Sequence, residues 1–228
     1  MERVEVRQNV LKENDRIAGD LRAGFEARRT LCLNLISSPG AGKTSVLEQT
    51  LAALEGGTWR VAVLTGDIQT DRDAARLRGY GFPAIQITTG GTCHLDASMV
   101  RRALAEVPAD LDLLLIENVG NLVCPASYDL GEHAKVVLLS VAEGDDKPLK
   151  YPSIFRRARL MLLHKVDLLP YTRFDLDAAK ADARRVNPDI EIVETSCVGP
   201  PGLNAWMTWL DARLIETARA QSVLRGGV

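Results

Sequence analysis

From residue 31 onward, short unbroken apolar runs alternate with longer stretches whose apolar residues recur every three or four positions. LCLNLI (31–36), RVAVLTG (60–66), PAIQIT (83–88), LDLLLIE (111–117), KVVLLSV (135–141), RLMLLHK (159–165) and DIEIVETS (189–196) have strand length and are rich in Val, Leu and Ile. The intervening TSVLEQTLAALE, DRDAARLRGYG, DASMVRRALAEV, FDLDAAKADARRV and GLNAWMTWLDARLIETA carry helical spacing, and Asp96 is placed to cap the third of them. Ahead of the first strand, Val10, Ile17, Leu21 and Phe25 lie close to multiples of a helical turn, which predicts an amphipathic helix ending near Ala27. Trp206, Trp209 and Leu210 fall at helical spacing and predict core or interface packing.

Strands that are apolar throughout belong to a sheet covered on both faces, hence to a parallel one. Alternation of strand and helix makes successive βαβ units. The expected fold is α/β: a doubly wound, mostly parallel sheet of about seven strands. It occupies one domain over residues 29–228, with residues 1–28 as an N-terminal helical extension. No internal repeat, low-complexity segment or linker interrupts it.

At 228 residues and 46% hydrophobic, the chain has material for one sizeable core. A net charge of −2 gives no electrostatic case for nucleic acid or an anionic membrane as partner. No apolar run approaches the ~20 residues of a membrane helix. The charged start MERVEVRQNVLKENDR has no apolar signal core, so a cytoplasmic location is expected. Four cysteines, at 32, 93, 124 and 197, do not make a disulfide framework.

SSPGAGKT (37–44) follows the first strand and opens a helix, the context in which G-x-x-x-x-G-K-[ST] cradles a phosphate. Ser37 stands where that pattern has its first glycine. Gly40, Ala41, Gly42 and Ser45 complete the loop around Lys43 and Thr44. Inward backbone N–H groups at Gly40 and Gly42, with the positive end of the helix, suit a phosphate. Lys43 would reach the β- and γ-phosphates and the Thr44 hydroxyl would ligate Mg²⁺. Because the two later glycines make the close approach, Ser37 is expected to be without consequence.

In an open parallel sheet, ligands collect at the carboxyl ends of the strands. Asp67 closes the second strand and Glu117 the fourth, where either could hold Mg²⁺ directly or through water; each could also be an ordinary strand-end acid. Gly120 of ENVG is placed like the glycine that commonly lies near a γ-phosphate. Lys43, Asp67 and Glu117 are the catalytic candidates. HKVD (164–167) resembles the NKxD guanine-reading element with His164 in place of Asn. The two oxygens of Asp167 can accept from the ring N–H and exocyclic amine of guanine, a pair that adenine lacks. The Lys165 stem can pack on the base. Histidine can donate only one hydrogen bond there, so GTP is expected over ATP, with reduced affinity or discrimination. ETSCVG (194–199) would bring Ser196 and the Cys197 backbone to the base, the Cys197 thiol being structural.

GGTCHLDA (90–97) follows the third strand, and Cys124 lies seven residues beyond Glu117, so three soft or borderline ligands converge on the same edge. Thiolate plus imidazole suits Zn²⁺ or Ni²⁺ and excludes Mg²⁺. The helix after Asp96 is expected to lower the Cys93 thiol pKa. Other readings stay open: Cys93 packed under the loop, His94 bonded to a carboxylate, Cys124 as buried filler. EGDDKPLKYP (143–152) reads as a solvated charged loop, or as a source of a phosphate-facing Lys147.

Taken in order, SSPGAGKT, GDIQTDRDAARL, TTGGTCHLDA, ENVGNLVCP, EGDDKPLKYP and HKVDLLPYTRFDLD resemble the HypB family, GTPases that assist nickel insertion into [NiFe] hydrogenase; the likeness spans about residues 10–215. The resemblance implies a P-loop GTPase that binds GTP/GDP with Mg²⁺ and dimerises in response to nucleotide. It implies a Ni²⁺ or Zn²⁺ site at Cys93, His94 and Cys124, and Mg²⁺ and switch roles for Thr44, Asp67 and Glu117. It implies guanine contacts at Lys165 and Asp167. Its expected partners are a maturation metallochaperone and the hydrogenase large subunit. Residues 1–30 hold no Cys and no His, so neither nickel storage nor a high-affinity N-terminal site is expected there. Slow hydrolysis is expected, since ENVGNL offers no glutamine after its glycine and no arginine finger is assignable. A urease-type nickel GTPase is disfavoured by the direct Cys93–His94 adjacency. A P-loop small-molecule kinase is disfavoured by HKVD and ETSC. A metal-delivery protein in which nucleotide only sets oligomeric state remains the third reading.

Overall fold

Residues 2–67 and 72–219 are described by a computed structural model. Met1 and residues 220–228 of the two expected segments, and residues 68–71 of the GDIQTDRDAARL stretch, lie outside the described residues. In chain order the elements are α1 (Glu2–Arg28), β1 (Leu31–Ser37), α2 (Lys43–Leu54), β2 (Val61–Asp67), α3 (Arg72–Arg78), β3 (Ala84–Thr88), α4 (Ala97–Ala103), β4 (Leu113–Glu117), β5 (Ala134–Ser140), α5 (Lys147–Lys150), α6 (Pro152–Arg157), β6 (Ala158–His164), α7 (Leu176–Val186), β7 (Glu191–Thr195) and α8 (Asn204–Arg219).

The seven strands make one parallel sheet in the order β3-β2-β4-β1-β5-β6-β7. Because side chains alternate along a strand, β1 feeds two cores. Leu31, Leu33 and Leu35 pack with Val46, Leu47 and Leu51 of α2 and Trp206, Leu210 and Leu214 of α8. Cys32 faces the opposite layer, with Ile17, Leu21 and Phe25 of α1 and Val100 of α4. Farther along that face, Ile36 packs with Ile154 and Phe155 of α6 and Ala179 and Ala183 of α7. Between Cys32 and Ile36 lies Asn34, fully buried and polar. Trp206 Nε1 donates to Thr50 Oγ1 at 2.8 Å, which satisfies its buried polar atom.

Three expectations change in detail. Val10 is 53% exposed, so the burying face of α1 starts only at Asn14 and Ile17. Asn14 ties that helix down by donating to the Asp129 carbonyl and accepting from Ala97 N–H, both at 2.9 Å. The helix expected over 96–107 ends at Ala103 and tightens into one 3₁₀ turn over Leu104–Glu106 before Pro108; Asp96 does cap it, accepting from Met99 N–H at 2.8 Å. EGDDKPLKYP is not a solvated loop: it leads into α5 and α6, whose Ile154 and Phe155 are fully buried.

Candidate functional site

Gly42 occupies the N-cap position of α2 at φ 110° and makes no side-chain cap, so first-turn N–H groups face outward toward the strand ends. A side chain could not replace its hydrogen. A Cβ there would stand 2.6 Å from His164 Cδ2, and the left-handed φ is itself costly for an L residue. Gly40 sits at φ 72° and its carbonyl accepts from Lys165 Nζ at 2.8 Å. Ala41 is buried and Ser45 lines the same cleft as Gly40, Gly42, Lys43 and Thr44. The cleft measures about 470 Å³, and Asp67, Glu117, Gly120 and Lys165 border it as well. Gly120 lies against Pro39 of the loop.

Lys43 is 7% exposed, and burial lowers its ammonium pKa. Its Nζ donates to Ser37 Oγ at 2.9 Å, so the residue standing in for the pattern's first glycine is a direct partner of the phosphate lysine. The contact follows from the short reach of a buried lysine folded back along its own loop. Glu117 is 4% exposed; burial pushes its carboxyl up to about 7, against the opposing pull of Lys43 and the Thr44 hydroxyl. Thr44 Oγ1 donates to Glu117 Oε1 at 2.7 Å, while the buried Oε2 has no hydrogen-bond partner among the described residues. A hydroxyl, a carboxylate held beside it and an orphaned carboxylate oxygen at a phosphate loop are a donor set that fits Mg²⁺ and its waters.

Two further cationic groups stand beside the loop. Lys147 Nζ donates to Ser38 Oγ at 2.5 Å and pairs with Glu143 at 2.9 Å, which carries α5 onto the loop. Arg76 of α3 borders the cleft and is held bidentately by Glu48 at 2.9 and 2.6 Å. The sequence offers Lys147 as a phosphate-facing alternative to a solvated loop, whereas Arg76 has no sequence signal beyond its charge, because it reaches the cleft from a helix distant in sequence.

On the far side of the loop, Ser196 Oγ donates to Asp167 Oδ1 at 2.5 Å and accepts from Val198 and Gly199 N–H. Lys165 takes a left-handed φ of 63° that carries its side chain back over Gly40. Cys197 is half-buried, burial pushes its thiol up to about 11, and its Sγ lies 3.8 Å from His164 Nε2. His164 is 1% exposed and pairs with Thr195 Oγ1 at 3.0 Å. The Thr195 hydroxyl also lies 3.3 Å from the Leu163 carbonyl, which ties the pair to β6. The histidine is a packed brace between β7 and the phosphate loop.

Burial, with the Lys165 charge nearby, lowers His164 to about 4, against which Asp167 pulls only weakly upward. Between pH 6.5 and 4 the unfolded chain takes up this proton and the native one does not, so stability falls as pH falls. A shift from the usual histidine value of 6.5 to about 4 corresponds to a loss of up to about 3 kcal/mol across that window. Urea unfolding at pH 7.5 and 5 is expected to show a shallower loss in His164→Asn than in the parent. An unchanged difference would remove His164 as the source.

Cys93 and His94 stand on the β3–α4 connection, and Cys124 opens a 3₁₀ turn, Cys124–Ser127, beyond β4. Since β2 separates β3 from β4 in the sheet, the two connections have to meet across its end. Gly66 permits this: a Cβ there would lie 2.8 Å from Leu95, so the absent side chain leaves the space that Leu95 fills. The ligand atoms of Cys93, His94 and Cys124 all lie within 4.8 Å of one another, and the three residues are partly buried. The thiols are 3.0 Å apart and Cys93 Sγ is 4.0 Å from His94 Nδ1. Tyr128 stacks on the imidazole with centroids 3.9 Å apart, and burial lowers the His94 pKa, which favours the neutral ligand form. The expected lowering of the Cys93 thiol is reversed. The hydrogen bond with Cys124 is the largest cause of the rise, followed by burial and the neighbouring thiol's charge. Cys32 lies apart from this group, entirely buried beneath the sheet.

The chain matches the CobW/HypB/UreG nucleotide-binding domain over residues 31–194. Hydrogenase maturation factor HypB of Azotobacter vinelandii is 54% identical over 220 residues, covering 96% of this chain and 72% of that protein. The crystal structure of HypB from Archaeoglobus fulgidus superposes with a TM-score of 0.83 at 39% identity, over 89% of this chain and 99% of that one. HypB from Helicobacter pylori in complex with nickel gives the same TM-score at 41% identity, over 90% and 96% of the two chains.

Proposed function

We infer that this chain, which belongs to the CobW/HypB/UreG family, is a GTP-dependent nickel-handling protein of hydrogenase maturation, and that its slow GTPase reaction is linked to its metal site. One observation carries the reading: Glu117 at the phosphate loop and Cys124 at the thiol–imidazole cluster belong to one eight-residue segment, 117–124. A change in how nucleotide holds the first end is a change in where the second end stands. Thiolates and an imidazole leave a fourth position for water or a partner's ligand, and an open position suits an ion that is handed on.

In this reading Gly40, Ala41, Gly42, Lys43, Thr44 and Ser45 bind the phosphates, and Lys165, Asp167, Ser196 and the Cys197 backbone bind guanine. Gly120 lies by the γ-phosphate. Thr44, Asp67 and Glu117 would hold Mg²⁺, which would supply neutralisation of the phosphate charge. Lys43 leaves Ser37 for the phosphate oxygens, and the ionised Glu117 orients the waters of the site. Cys93, His94 and Cys124 bind Ni²⁺ as cargo, with Zn²⁺ as a competing ion of similar ligand preference. Two chains meeting at the strand-end rim would make the nucleotide-dependent homodimer, the form that meets a maturation metallochaperone and the hydrogenase large subunit.

Equilibrium dialysis of Ni²⁺ and Zn²⁺ with saturating GDP and with a non-hydrolysable GTP analogue tests the linkage. A shift of about 5-fold or more in Kd between the two nucleotides is expected for coupled sites. Equal affinities would leave two independent sites and overturn it.

A further inference from the structure

Resting on that reading, we propose that Asn118 is the positioning residue that transmits nucleotide state to the metal loop, through one buried amide shared between the two sites. It directly follows Glu117 and is 1% exposed. Its Oδ1 accepts from Leu95 N–H at 3.2 Å, the residue after His94, and from its neighbour Val119 N–H at 3.0 Å. Two backbone donors on one oxygen fix the orientation of the amide, so Nδ2 must point the other way. It donates to Asn34 Oδ1 at 3.2 Å, in the middle of the central strand β1.

Asn34 passes the constraint on. Its Nδ2 donates to Glu132 Oε1 at 3.2 Å, and Glu132 is pinned by Lys135 and by Leu130 N–H at 2.6 Å. Lys135 Nζ also donates to the Tyr128 carbonyl at 2.8 Å, and Tyr128 is the ring stacked on His94. The circuit therefore closes: from Asn118 one arm reaches the His94–Leu95 backbone directly, and the other reaches the His94 ring through Asn34, Glu132, Lys135 and Tyr128. Asn121 adds a third tie, donating to the Cys93 carbonyl at 3.2 Å. A buried polar circuit of this kind is satisfied in one arrangement and penalised in others, because each severed member becomes an unpaired group in a low-dielectric interior. Movement of Glu117 toward or away from the phosphate loop carries the adjacent Asn118 amide with it. The metal loop must follow or lose those bonds.

The test uses the 228-residue chain with Ni²⁺ as probe. Asn118→Asp keeps an oxygen facing Leu95 and Val119 but cannot donate to Asn34. The parent is expected to change its Ni²⁺ Kd by about 5-fold or more between saturating GDP and a non-hydrolysable GTP analogue, and the variant to hold that ratio within about 2-fold of one. A purely structural role would weaken Ni²⁺ binding equally with both nucleotides and leave the ratio at the parental value, which overturns the proposal. If Asn118→Asp does not fold, Asn34→Ser carries the same expectation, since it removes the amide that accepts from Asn118 Nδ2 and donates to Glu132, without adding charge. A ratio of one in the parent would instead bring down the linkage itself, and the amide's role with it.

Discussion

Alanine in place of Cys93 is expected to lower Ni²⁺ affinity by at least about 100-fold, more than the 10–100-fold typical of losing an outer-shell partner, because a direct ligand goes. The ligand atoms already lie within 4.8 Å of one another, so binding does not have to assemble the site from separated parts. Removing Cys93 leaves one thiol and one imidazole, a pair with no geometric preference for a thiolate-loving ion. Cys124→Ala is expected to match it. Neither change should move GTP affinity measured without metal, since no predicted phosphate or guanine contact involves these side chains. Cys32→Ala is the control: that thiol is buried under the sheet, with its pKa raised well above the usual value by burial, and its loss should leave Ni²⁺ binding at the parental level. Isothermal titration or dialysis with Ni²⁺ reads all three. Parental affinity in Cys93→Ala would dismiss the cluster as the metal site.

Lys43→Ala is expected to reduce single-turnover GTP hydrolysis by roughly 10²–10³-fold, the size of loss seen when one preorganised transition-state donor is removed. Burial leaves this ammonium little compensation from water, and the Glu117, Asp73 and Glu143 carboxylates offset that cost only in part. Its removal also deletes the largest influence holding the Glu117 carboxyl down, so Glu117 becomes harder to ionise just where a carboxylate is needed. Phosphate release measured with excess enzyme checks this directly. A rate within a few-fold of the parent would show that the cleft between Gly40 and Glu117 is not where hydrolysis occurs. Lys43→Arg is not expected to restore the rate, because the planar guanidinium has to fit a pocket shaped around a single Nζ and closed by Ser37.

Much of the site could be placed from the chain alone because parallel α/β sheets impose a rule on it. Residues just past a strand end share one rim, whichever strand they follow. That rule gathered Lys43, Asp67, Glu117, Lys165 and the Cys93–His94 pair from five separate connections, and the structure puts them on that rim. It could not supply distances. It therefore missed Ser37 as the partner of Lys43 and the position of Arg76, and it offered Lys147 toward the phosphates only as an alternative to a solvated loop. It also gave the wrong direction for the Cys93 thiol. A short helix after Asp96 argued for a lowered value, whereas a second thiol 3.0 Å away makes the protonated, hydrogen-bonded form the better one. Asn118 and Asn34 were passed over for a related reason. A lone asparagine in or beside an apolar strand carries no pattern, and its meaning lies wholly in what faces it.

Apolar runs with period-matched helices between them, and a phosphate loop bounded by strand and helix, are local properties written in consecutive residues, so the chain by itself determined the sheet, its parallel sense and the edge where chemistry collects. The tertiary structure alone decided how far the thiols stand from one another, which lone pairs stay unpaired, and which amides bridge the nucleotide cleft to the metal loop. Those quantities depend on strand order, here β3-β2-β4-β1, and on the space left by a missing side chain at Gly66. Neither is a property of neighbouring residues, because packing joins positions that the sequence holds far apart.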